Sequence, residues 1–281
     1  MVRSWIVVMM LTCSDLVFAG VPVTDRAQDL LFPRAPVQTT AAESYHRELQ
    51  RLASLGKLDV DKPRLLQIRQ ICSRLIAQAI LLKPAAAHWP WEVHLTSDPG
   101  VAAYSMSGGK LLVGSDFIDK YHLNDNELAV ALAHEIGHVI AEHVREQISM
   151  AAGFEPRVPN RTVNVVDVIN SMESDISVFL RLQPLSRLQE MEADDIGIEL
   201  AARAGVYPAA IISFYTKLAR QDGGRSIFDT HGPSSQRVEF IESMADYARP
   251  VYAASYKKNV PAYIFMPKYH VNTASRAASI R

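Results

Sequence analysis

The residues best suited to chemistry in this 281-residue chain are His134-Glu135-Ile136-Gly137-His138, two histidines four apart with a glutamate beside the first. On a helix, positions four apart lie about 40° apart around the axis and about 6 Å apart along it, so both imidazoles project from one face. That face suits two ligands of a tetrahedral Zn²⁺. Glu135 is offset by about 100°, beside the ligands rather than among them. There it can take a proton from a water at the metal and later pass one to a leaving amine. The apolar neighbours Leu132, Ala133, Ile136, Val139 and Ile140 bury the segment, and an unliganded buried histidine pair would be costly.

A third ligand must come from elsewhere. In Glu190-Met191-Glu192-Ala193-Asp194, Glu190 and Asp194 share a helix face, whereas Glu192 falls about 200° round, on the far side. One carboxylate can bind metal while the other accepts the N–H of a ligand histidine. The plain alternative is a solvated acidic run favoured by the helix dipole. His143 lies about 180° from His134 if one helix continues, which places it on the polar face near Arg145, away from the metal.

The elements that must carry these groups form an α+β, helix-dominated domain with a small three-stranded sheet. Helical spacing runs from Ala41 to about Leu55 and from Pro63 to Leu82. Alternation at 89–95 and 102–106, then 110–113 after the Gly108-Gly109 turn, predicts the strands. Asn124, with Glu127 three residues on, caps the helix that bears the histidines, and the pattern continues to about Met150. Residues 153–162 read as a loop; 163–182, 186–204, 208–221 and 234–247 read as helices. The whole is divided into a leader at 20–40, a domain at 41–250 and a basic tail at 251–281.

The ordered set His134-Glu135-x-x-His138, Ser186-Arg187-x-x-Glu190-x-Glu192-Ala193-Asp194 and His231-Gly-Pro-x-x-x-Arg237 resembles peptidase family M48, over about Tyr45 to Tyr247. That family includes the CAAX prenyl proteases, the HtpX proteases and soluble envelope relatives, and the resemblance is to the exported bacterial branch that acts in envelope quality control. It implies a zincin-like fold with one zinc per chain, Glu190 as third ligand, Asp194 orienting a ligand histidine, and Glu135 as catalytic base. It also implies that His231, with Arg237 nearby, works close to the metal, either donating to the oxyanion or capping the zinc at rest. Relatives usually carry Asn-Ala where this chain has Ala102-Ala103, a departure that touches substrate registration rather than the metal.

Composition is that of an ordinary globular protein, with 48% apolar and 21% charged residues. A net charge of -1 gives no footprint for nucleic acid. Arg3 followed by an apolar run from Trp5 to Leu11 and by Val17-Phe18-Ala19 predicts a signal peptide at 1–19 and a periplasmic location, at or near the outer membrane. Lipidation at Cys13 is the rival reading, with Thr12 a poor match for it. No later segment reaches about 18 uninterrupted apolar residues. With Cys13 removed, Cys72 alone remains, so no internal disulfide forms, and its apolar helical setting predicts a buried inert thiol.

The expected partners are polypeptide substrates, with outer-membrane assembly proteins or a lipid surface as further candidates. The 110–113 strand is a candidate edge for main-chain pairing with an extended substrate, residues 153–182 a candidate lid, and the Lys and Arg of the tail a candidate contact for anionic headgroups. The competing class is a zinc-binding, chaperone-like protein without turnover. Glu135 argues against it, because a structural zinc site has no use for a base.

Overall fold

The computed structural model describes residues 20–154, 163–221, 234–255 and 260–265. Its elements, in chain order, are α1 (Arg34–Ser54), α2 (Lys62–Leu82), β1 (Glu92–Thr96), β2 (Ala103–Met106), β3 (Lys110–Gly114), α3 (Ser115–Lys120), α4 (Asp125–Ile140), α5 (His143–Ala152), α6 (Val165–Ser174), α7 (Ile176–Arg203), α8 (Ala209–Gln221) and α9 (Ser234–Ser255).

The expected three-stranded sheet forms, in the order β1-β3-β2, with β1 parallel and β2 antiparallel to β3. The strand at Lys110–Gly114 is therefore central, which corrects its expected edge role. β1 and β2 are the edge strands; Leu58 bridges Thr96 on the outer side of β1, so among the described residues the open edge is that of β2. A turn through Gly108 (φ 82°) and Gly109 (φ 80°) joins β2 to β3. Any side chain at Gly109 would also strike the Trp91 ring at 2.5 Å, so that position requires glycine. Residues of β3 alternate between two layers: Leu111 and Val113 enter the main core, while Leu112 packs with Tyr45, Leu49 and Leu52 of α1.

Helix α4 runs through the centre of the molecule, against α7, α2, α8 and β2. Asn124 accepts from the Asn126 and Glu127 amides, and Glu127 accepts from the Asn124 amide, the capping box expected from sequence. Helix α2 is long and apolar enough to cross a membrane by length and composition, but it packs on α4, α7 and β1 as a core helix. Cys72 lies fully buried on it, and burial pushes its thiol up to about 12.

Besides α9, which runs to Ser255 past its expected end at 247 and past the expected domain end at 250, three boundaries differ from expectation. The leader ends at 33, because α1 begins at Arg34, and residues 20–33 are packed: Val21 is in the core, and the segment lies across α5 and α7. The two helices expected at 163–182 and 186–204 are instead α6 and a long α7 that runs through Pro184. The proline removes one amide, but Pro184 and the preceding turn at Leu180 are exposed, so water can take the released carbonyl. Third, the helix expected to reach Met150 stops at Ile140. Glu142 adopts a left-handed conformation (φ 57°), and α5 starts afresh at His143.

Candidate metal centre

Helices α4 and α7 bring the predicted ligands together because their backbones approach closely. A Cβ added to Gly137 would sit 3.0 Å from the Ala193 carbonyl, and one added to Gly197 would sit 2.8 Å from the His134 amide nitrogen. At this crossing, His134 Nε2 is 3.1 Å from His138 Nε2 and 3.4 Å from Glu190 Oε2, and His138 Nε2 is 3.3 Å from Glu190 Oε1. Three donors about 2.0–2.1 Å from a tetrahedral ion are themselves about 3.3–3.4 Å apart. The triangle's spacing is close to this, with one Glu190 oxygen facing each imidazole, and two imidazoles and one carboxylate are donors that zinc accepts. His134, His138 and Glu190 are the group that could hold a metal ion among the described residues.

The surrounding contacts orient this triangle. His134 Nδ1 lies 2.9 Å from Asp194 Oδ1, which also accepts from the Tyr215 hydroxyl at 2.5 Å. Burial works against an imidazolium at His134, but Asp194 and Glu190 outweigh it and raise its pKa to about 10. Glu135 is buried beside the triangle and lines a cleft of about 300 Å³ with His138, Glu190, Ala103, Tyr104 and Ser105. Ser105 of β2 donates to the Glu135 carbonyl at 3.0 Å, tying the open strand to the glutamate's backbone. Met172, Phe179 and Leu182 form an apolar wall of the same cleft.

His143 and Glu192 are where sequence reasoning missed. His143 is not on a polar face: it is 1% exposed, and its Nδ1 lies 2.9 Å from His138 Nδ1. Its Nε2 lies 3.3 Å from Glu192 Oε2, off the ideal hydrogen-bond line. Burial, then His138, holds its pKa down at about 4 against the pull of Glu192, so the ring is neutral. The break at Glu142 turns His143 inward, yet Ile140, Val144, Ile148 and Ala151 keep helical spacing across the junction, so nothing in the periodicity marks it. Glu192 faces away from Glu190 as expected but is buried under α5 and the 20–33 segment rather than solvated. Burial opposes its ionisation; His143 and Arg26 prevail and bring it down to about 2. His231 lies outside the described residues, and Arg237 falls on α9 where no side chain is described.

Comparison with known proteins defines the class. The chain belongs to peptidase family M48, whose profile matches residues 64–245, and it is a metalloendopeptidase. Over 250 residues it is 28% identical to the mitochondrial metalloendopeptidase OMA1 of Saccharomyces cerevisiae, an alignment covering 83% of this chain and 71% of that protein. It is 31% identical to the metalloprotease LoiP of Escherichia coli K12 over 54% of this chain and 60% of that one. To the beta-barrel assembly-enhancing protease of Escherichia coli O157:H7 it is 27% identical, over 75% of this chain but 44% of the relative. The chain thus spans less than two thirds of the length of the last two of these.

Proposed function

We propose that this protein is a zinc-dependent endopeptidase that cleaves extended or misfolded polypeptides in a bacterial cell envelope, as part of protein quality control. The observation that carries the reading is the placement of Glu135, buried beside a His-His-Glu triangle and next to the open edge of β2. In this reading His134, His138 and Glu190 hold the ion. When bound, zinc would polarise the scissile carbonyl and favour deprotonation of the attacking water. Glu135 takes that proton and returns it to the leaving amine. Because β2 pairs only with β3 among the described residues, its other edge can hold an extended substrate by main-chain pairing with little demand on sequence. Met172, Phe179 and Leu182 then receive an apolar side chain next to the cleaved bond.

The signal peptide at 1–19, the choice between cleavage after Ala19 and lipidation at Cys13, the basic residues of the tail, and the 155–162 part of the expected lid all lie outside the described residues. The periplasmic location remains our reading of the sequence. It is compatible with the likeness to the beta-barrel assembly-enhancing protease, which makes outer-membrane assembly proteins candidate partners. By resemblance His231 works close to the metal with Arg237 as a fixed charge nearby; of its two roles, donating to the oxyanion or capping the zinc at rest, we favour the cap, because a protease among folded neighbours benefits from a closed site.

The test compares wild type with Glu135→Gln on an unfolded protein substrate while zinc content is measured. The variant retains about one zinc per chain and loses proteolysis by at least ~10²-fold. Retained activity, or lost metal, refutes the assigned role.

A further inference from the structure

The segment 20–34 carries chemistry that the proposed reaction does not use. Arg26, 24% exposed at its side chain, reaches from this segment to two buried carboxylates at once. It donates through Nε and Nη2 to Glu192 at 2.6 and 2.8 Å, and through Nη1 and Nη2 to Glu146 at 2.6 and 2.8 Å. Thr24 donates to Glu192 at 3.2 Å. Gln28 ties the same strap to Glu146 at 2.9 Å and to the carbonyl of Ala141, the residue that ends the metal helix, at 2.8 Å. Leu31 donates to Ser149 at 3.0 Å, and Arg34 holds Glu142 at 2.7 and 2.9 Å. The strap is therefore fixed across the α4–α5 junction through residues that ring the buried His143.

Hydrogen-bond bookkeeping at His143 allows one consistent assignment. A His138 that offers Nε2 to a metal carries its proton on Nδ1 and must donate it. The atom 2.9 Å from that Nδ1 is His143 Nδ1, which has to accept. His143 then bears its own proton on Nε2, facing Glu192 Oε2 at 3.3 Å. Glu192 is an ionised, buried acceptor that Arg26 compensates. The two ligand histidines are thus held by different devices on the same helix: His134 by Asp194 directly, His138 by Glu192 through His143.

We infer that His143 and Glu192 are positioning residues for the metal ligand His138, and that Arg26 completes them, so that the N-terminal strap is part of what retains the metal. The inference rests on the proposed zinc site and deepens it. Outer partners of this kind typically change metal affinity by about 10–100-fold.

The experiment measures zinc affinity by chelator competition, together with the visible spectrum of the cobalt-loaded protein, for full-length wild type, His138→Ala, His143→Leu, His143→Gln and Arg26→Met. His143→Leu weakens zinc by about 10–100-fold and perturbs the cobalt spectrum. His143→Gln, whose amide can both accept and donate, recovers most of the loss. Arg26→Met, at a partly exposed position, weakens zinc several-fold. A purely structural role would lower the melting temperature of the zinc-free protein and leave affinity and spectrum alone. Zinc affinity within a factor of two of wild type in folded His143→Leu overturns the inference. If that variant does not fold, an unchanged affinity in Arg26→Met overturns it instead. A wild type that binds no zinc, or a His138→Ala that keeps it, refutes the underlying metal site, which is a distinguishable result.

Discussion

Gly197→Ala is the smallest change that should pull the metal centre apart without touching a ligand. A Cβ at this position would lie 2.8 Å from the His134 amide nitrogen, 2.9 Å from His134 Cα and 3.1 Å from the Ala133 carbonyl carbon, all backbone atoms that no side-chain rotation can clear. Ordinary contact begins at about 3.4 Å, so α7 must withdraw from α4 by roughly 0.6 Å. Metal–ligand distances tolerate about ±0.2 Å, so this withdrawal carries Glu190 out of coordination range while leaving every ligand in the chain. Overpacking of a close helix contact costs about 1–3 kcal/mol, and the better helix propensity of alanine offsets about 1 kcal/mol of it. The net stability loss is therefore only about 0–2 kcal/mol, and the variant folds. Chelator competition should show zinc affinity at least tenfold weaker, and the melting temperature should respond less to added zinc than in wild type. A variant that is about 1 kcal/mol more stable, with unchanged zinc affinity, would refute the idea that this contact sets the site.

Glu190→Gln, which removes a ligand rather than its support, should weaken zinc beyond the ~10–100-fold typical of an outer partner, as read by the same competition assay. Glu142 is buried, but Arg34, Arg145 and Lys83 overcome that penalty and bring its pKa down from 4.5 to about 2. A depressed carboxylate contributes stability in full above pH 4.5 and loses it as pH falls toward 2. Acid unfolding followed by circular dichroism should therefore flatten across that window in Glu142→Gln. The effect is at most about 3 kcal/mol, and smaller because Arg34 is a third exposed. His231→Ala should raise basal proteolysis and slightly weaken zinc retention if the imidazole caps the metal; a fall in kcat of about 10²-fold with intact zinc binding would assign it to the oxyanion instead.

Much of this architecture was readable in the sequence because it rests on local signals. The capping box at Asn124 and Glu127 fixes the start of α4, and four-residue spacing alone puts His134 and His138 on one face. The Gly108-Gly109 turn announces the hairpin into β3. What failed depends on contacts distant in sequence. Strand order is not encoded in any one strand, so the central place of β3 was invisible and the open edge passed to β2. The left-handed residue Glu142 carries no glycine or proline to announce it; Arg34, from another helix, pairs with it where it stands. Without that break His143 was placed on the wrong side, and without the 20–33 segment Glu192 looked like a solvated carboxylate.

The Ala141-Glu142 junction also works as a ruler. Five residues of uninterrupted helix would separate His138 and His143 by about 140° and 7.5 Å, yet their Nδ1 atoms stand 2.9 Å apart. Adding or deleting one residue there would rotate everything downstream by about 100° while leaving the His-Glu-x-x-His letters untouched. An alignment gap between positions 138 and 143 would thus mark a relative that keeps the signature and has lost the register, and such a protein must anchor its second histidine by other means.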